Sequence, residues 1–117
     1  MAYAFYSASK LKTVKAATCS IIGSHAFQAC KVLSEVSFPA CKSISAQAFN
    51  GCSSLTKVYL MSNAVCALAN SNAFNITPIV NSTYTGTFGS IYVPASLLNS
   101  YKTATNWSYF SNRFVGI

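Results

Sequence analysis

Aspartate is absent from the chain, and Glu35 is its single carboxylate side chain. That shortage excludes whole classes of chemistry. The paired carboxylates of glycoside hydrolysis and a Ser-His-Asp triad cannot be assembled, and hard cations that need several carboxylate oxygens have no ligands. The phosphate-cradling patterns G-x-x-x-x-G-K-[ST] and G-x-G-x-x-G are missing. No two cysteines stand at the C-x-x-C spacing of a zinc site. No run approaches the roughly 18 uninterrupted apolar residues of a membrane span, so the 52% of apolar residues belongs in a core. Met1 leads straight into repetitive text, without the basic-then-apolar layout of a secretion signal. The expectation is a protein with no catalytic residues, no metal, no cofactor and no membrane span.

Against the lone acid stand eight Lys and Arg, for a formal charge of +7. A basic surface attracts nucleic acid, anionic glycan or anionic membrane. Nucleic-acid sites gather their Lys and Arg on one face, whereas Lys31, Lys42, Lys57, Lys102 and Arg113 fall at different phases of the repeat described next. Only Lys10, Lys12 and Lys15 lie together. A solvated basic surface is expected rather than a dedicated nucleic-acid site.

What the chain has in abundance is itself. Ala48-Phe49-Asn50-Gly51-Cys52-Ser53-Ser54-Leu55-Thr56-Lys57-Val58 repeats, with substitutions, the text that begins 22 residues earlier at Ala26-Phe27 and ends at Val36. A third, partial copy runs from Ala4-Phe5 to Val14. Self-similarity at such a period is the mark of a solenoid, in which stacked units share one core. Leu11, Val14 and Ala16 correspond to Leu33, Val36 and Phe38, then to Leu55, Val58 and Leu60. Their alternation predicts a short strand with one buried face in every coil, and stacking would pair these strands in parallel about 4.8 Å apart. Pro39 ends the second strand because proline has no donor for a ladder.

A second apolar set links Cys19 with Cys41, Ile22 with Ile44, Ala26-Phe27 with Ala48-Phe49, and Cys30 with Cys52. Small Ala and Cys beside large Phe favour close stacking of coils. Gly51 suits a turn conformation that Ala29 reaches less easily. The third copy drifts, since Ala73-Phe74 follows Ala48-Phe49 by 25 residues, which places three extra residues within 65–72. Residues 75–90 then read as a polar loop broken by Pro78 and Gly86. The last strand is expected at Ile91-Tyr92-Val93-Pro94. After it, Leu97, Leu98 and Tyr101 stand at helical spacing, followed by Trp107, Tyr109, Phe110, Phe114 and Val115. This divides the chain into a repeat array over 1–94, incomplete at its first repeat, and a capping segment over 95–117 that closes the last coil. The opposite end has no such cover, so self-association through the open N-terminal repeat is a further expectation.

The text A-F-x-x-C-x-x-L-x-x-V-x-Φ-P, with I-x-x-x-A-F between copies, resembles the BspA-like leucine-rich repeat family. The ending I-Y-V-P-A-S-L-L-N-S-Y-K-T-A-T-N-W-S is similar to the closing segment of many such bacterial surface proteins. The resemblance covers nearly all of 4–117 and departs from the family in the stretched third coil and at the start. It implies a right-handed solenoid with a short parallel β-sheet on one face, irregular or short-helical turns on the other and a C-terminal helical cap. It also implies display at the cell surface and adhesion to proteins or other surfaces, with no catalytic residues to carry over.

The cysteines at 19, 30, 41 and 52 are spaced by 11, half the repeat, so they form two ladders of buried thiols on different sides of the coil. Neighbours within a ladder would be close enough for a disulfide if geometry allowed. His25, whose counterpart is Gln47, is placed at an exposed turn without a surface thiol to activate. The outward strand positions are Thr13, Lys15, Glu35, Ser37, Lys57, Tyr59 and Tyr92. Among them Lys15, Lys57, Tyr59 and Tyr92 are the candidate binding residues, because exposed tyrosines anchor contacts and the lysines suit a protein or an anionic glycan. Three N-x-[ST] sequons stand at Asn75, Asn81 and Asn106. The leading expectation is a non-enzymatic binding or adhesion module, extracellular or on a cell surface. The alternative is a structural subunit of a virion or filament, assembling through the open N-terminal repeat.

Overall fold

The computed structural model describes residues 5–79 and 89–117. Gly86, the sequon at Asn81, Ala4 of the partial first copy and most of the polar loop read over 75–90 lie outside them. Each period contributes one three-residue strand to a main sheet: β1 (Thr13–Lys15), β3 (Glu35–Ser37) and β5 (Lys57–Tyr59). They pair in parallel with Val14, Val36 and Val58 in register, 22 residues apart. β7 (Ser90–Val93) continues the sheet beside β5, with Ile91 opposite Val58. Alternation does what it should: Val36, Val58, Ile91 and Val93 are buried and their strand neighbours point outward.

The far side of each coil holds turns, with a 3-10 turn at Ser71–Phe74 in the third, and adds strands that the sequence does not announce. There β2 (Ile21–Ile22), β4 (Ser43–Ile44) and β6 (Ala67–Leu68) form a second parallel sheet of three strands. Ile22, Ile44 and Leu68 point into the core. Strands of two residues are too short for a period-two signal to register, yet each coil still passes its backbone hydrogen bonds to the next.

Between the sheets the core is a column of aromatic rings. Phe5, Phe27, Phe49 and Phe74 stack in sequence, with centroids 5.2, 5.2 and 5.4 Å apart and planes within 5° of parallel. At this corner the Phe27 N–H donates to the Ala48 carbonyl, and the Phe49 N–H to that of Ala73, each at 2.8 Å. The corner needs left-handed backbone. Ser7, Ala29, Gly51 and Ile76 occupy equivalent positions with φ of 55, 62, 83 and 56°. Gly51 alone adopts this region without strain, and Ile76, β-branched and 71% exposed, is the least suited. Ile76→Gly should therefore stabilise the fold by about 1 kcal/mol, the relief of left-handed strain less the added freedom of the unfolded chain. Urea unfolding midpoints of the two proteins check it.

The three extra residues of the third coil enter in two steps. The register shifts from 22 residues at Ser37 and Tyr59 to 24 at Ser43 and Ala67, and reaches 25 where Ala73 follows Ala48. Two residues thus enter between Tyr59 and Ala67 and one between Leu68 and Ala73. The pairing of β6 with β4 holds the stretch between them in place and pushes the excess into the corners. Gly89 leads into β7, where a Cβ would stand 2.7 Å from the Cα and carbonyl oxygen of Thr56. Only glycine lets the last repeat strand approach β5 this closely.

Beyond β7 a 3-10 turn (Ala95–Leu97) runs into a short helix, α1 (Leu98–Thr103), with Tyr101 buried. A second 3-10 segment (Trp107–Arg113) leads to β8 (Phe114–Gly116), which joins the main sheet beside β7 in parallel. This fifth strand was not expected from the sequence. The aromatics of the segment finish the column: Phe110 meets Phe74 edge-on at 5.5 Å and Trp107 packs against it at 5.9 Å.

Candidate functional site

The outward face of the main sheet presents two rows of side chains. One row, set by the register, is Lys15, Ser37, Tyr59, Tyr92 and Val115. The other is Thr13, Glu35, Lys57 and Ser90. Three of the four candidate residues therefore share a row, and Lys57 is the same-face neighbour of Tyr59 on β5. Tyr59 and Tyr92 stack with ring centroids 4.6 Å apart and planes 15° from parallel. Both are half-buried, while Lys15 and Lys57 are exposed. Lys15 stands apart from the tyrosines, with Ser37 between. At strand spacing it is about 10 Å from Tyr59 across the sheet.

Val115 extends the tyrosine row and is 39% exposed. The sequence places it in the capping segment and not in this row, because Phe114-Val115-Gly116 repeats nothing upstream and shows no polar-apolar alternation. Lys15 also borders a cavity of about 500 Å³ at the N-terminal end, floored by Phe5, Phe27 and Phe38. Phe5, Tyr6 and Ile21 are 42, 51 and 57% exposed at that end.

All five cysteines are free, and Cys30, Cys41, Cys52 and Cys66 are buried. The ladder of Cys30 and Cys52 stitches coils together: the Cys52 thiol donates to the Phe27 carbonyl, and the Cys30 thiol to that of Phe5, each at 3.0 Å. Burial pushes the Cys52 thiol up to about 12. In the third coil the position falls to Thr77, buried, whose hydroxyl donates to the Phe74 carbonyl at 2.6 Å. The other ladder gains a member that stands off the 22-residue phase, since Cys66 meets Cys41 with sulfurs 3.2 Å apart. Among the described residues no three potential metal ligands gather, and no helix is long and apolar enough to cross a membrane.

His25 is half-buried rather than exposed, in left-handed backbone at φ 58°, and its Nδ1 is hydrogen-bonded to the Gln28 amide oxygen. The corner turns the ring back against its own coil. Of the sequons, Asn75 is exposed. Asn106 donates its side-chain amide to the Leu68 carbonyl at 2.7 Å, which occupies the nitrogen a glycan would need.

The repeat text, the stacked phenylalanines and the parallel strands agree with a wider comparison. The profile of the BspA type leucine rich repeat region matches residues 1–103 in six copies. The chain belongs to this family. Leucine-rich repeats of this type are in general interaction modules rather than enzymes, and the repeats here conform in spending their recurrent residues on the core. No curated protein matches the sequence closely enough to add a more specific activity.

Proposed function

We propose that the protein is a non-catalytic recognition module of a surface-exposed leucine-rich repeat protein. In this reading residues 1–94 form a right-handed solenoid and residues 95–117 cap it, leaving the outward sheet face for a protein or an anionic glycan. The observation that carries the proposal is the stacked pair Tyr59–Tyr92 with Lys57 beside it. Stacked rings give a stiff apolar platform at little conformational cost, and lysine adds an attraction for anionic groups.

Binding of a sulfated glycan such as heparin, measured by calorimetry, tests it. Tyr59→Ala with Tyr92→Ala should weaken binding at least about tenfold, ~1.4 kcal/mol. Lys31→Ala, on an exposed residue off this face, should leave it unchanged. Affinity should also fall with added salt, because exposed charges are screened beyond about 8 Å at physiological ionic strength. Equal binding by the folded tyrosine variant and the parent would dispose of the site.

A second reading rests on the other end. Among the described residues Phe5 and Ile21 are exposed apolar side chains there, which suits a subunit of a larger assembly. Sedimentation velocity across a hundredfold concentration range should then show association that Ile21→Lys abolishes. A monomer throughout removes this reading.

A further inference from the structure

We propose that Cys41 and Cys66 form a redox-active dithiol site, with Cys41 the attacking thiol and Cys66 the resolving one, for low-molecular-weight disulfides. Three observations converge on it. The sulfurs are 3.2 Å apart, so bond formation needs them to close by little more than 1 Å. A cavity of about 360 Å³ is lined by Cys41, though not by Cys66, together with Pro39, Lys42, Ser62, Asn63 and Val65. Exposed Lys42 gives it a cationic wall that suits an anionic disulfide. Finally, Cys66 sits behind Cys41 on a fixed backbone. Its N–H donates to the Tyr101 hydroxyl at 2.8 Å, and its carbonyl accepts from the Trp107 indole at 2.5 Å.

The two thiols are unlike. Sharing a hydrogen bond with Cys66 holds the Cys41 thiol below its ordinary range, and the same bond holds the Cys66 proton in place. Thiolate character therefore falls on the residue that faces the cavity. The Cys41 thiolate attacks one sulfur of RS–SR, forms a mixed disulfide and expels RS⁻. Cys66 then gives up its proton and attacks the Cys41 sulfur, which expels the second RS⁻. The two thiolates released take up the two protons, so two protein thiols and one RS–SR become one protein disulfide and two RSH. The other buried ladder is a control within the same molecule, since the Cys30 and Cys52 thiols donate to carbonyls and not to each other.

The test is incubation of the folded protein with oxidised glutathione at pH 8, followed by alkylation of free thiols and peptide mapping. The expected product links Cys41 to Cys66, leaves Cys30 and Cys52 alkylated, and has a mass lower by two hydrogens wherever Cys19 stays free. In Cys66→Ala the reaction should stop at the first step, with one glutathione retained on Cys41. Cys41→Ala should carry none on Cys66. If Cys66→Ala does not fold, Cys66→Ser gives the same trap with the shape nearly kept, and the map of the parent protein decides by itself. A link between Cys30 and Cys52, glutathione on Cys19 alone, or Cys41 and Cys66 both recovered free would overturn the assignment.

Discussion

Truncation of Phe49 to alanine is expected to cost about 3–5 kcal/mol of unfolding free energy, whereas the same change at Phe5 should cost less than about 1.5 kcal/mol. Both rings stand in one column, at one phase of the repeat. The difference is the number of covered faces. Phe49 lies between Phe27 and Phe74 with no exposed surface, and Phe38 tilts against it at 6.1 Å. Removing it opens a cavity at mid-column, which the flanking backbone cannot close because Phe49 and Gly51 N–H groups are bonded to Ala73 and Asn75 carbonyls. Among the described residues Phe5 stacks on Phe27 alone, and it keeps 42% of its surface in water. Chemical unfolding of the two variants, followed by far-ultraviolet dichroism, gives the comparison. Equal losses at the two positions would mean that the rings act as separate contacts and not as a shared column. A loss of 3–5 kcal/mol is a large part of the 5–15 kcal/mol by which domains of this size are usually stable.

The column was legible in the sequence because its residues are large, apolar and recur at one period. Val14, Val36 and Val58 were legible for the same reason, and so were the outward positions of Lys57 and Tyr59 between buried neighbours. What escaped detection does not recur in that way. His25 and Gln47 adopt left-handed backbone without an Asn or Gly to announce it, and at Gln47 the turn is held by its N–H donating to the Asn72 side-chain oxygen of the next coil. The second sheet is built of strands too short to register as alternation, and the extra residues displace Cys66 from its phase, which hid the third member of a cysteine ladder. β8 has no counterpart upstream, so Val115 could not be added to the tyrosine row by analogy. Repetition reveals what coils do for each other. It is silent about the places where a coil is altered, and the candidate dithiol is at such a place.

Trp107→Ala should be at least as damaging as the loss of Phe49, about 3–5 kcal/mol for the buried ring and a further ~1–3 kcal/mol for the Cys66 carbonyl left without its donor. Trp107 is fully buried and touches Phe74, Tyr101, Phe110 and Phe114, so it joins the end of the column to the helix and to β8. Trp107→Phe separates the two contributions, because it keeps most of the ring contact and loses only the indole N–H. That variant should fall about 1–3 kcal/mol below the parent. Trp107 is also the one tryptophan of the chain, so its fluorescence reports the C-terminal segment alone while dichroism reports the strands. In the parent protein the two signals should change together on unfolding, since β8 pairs with β7 and the last phenylalanine of the column is covered by the segment itself. Fluorescence that changes at lower denaturant than dichroism would show that the coils hold together without their aromatic cover, and a Trp107→Ala protein within about 1 kcal/mol of the parent would lead to the same conclusion.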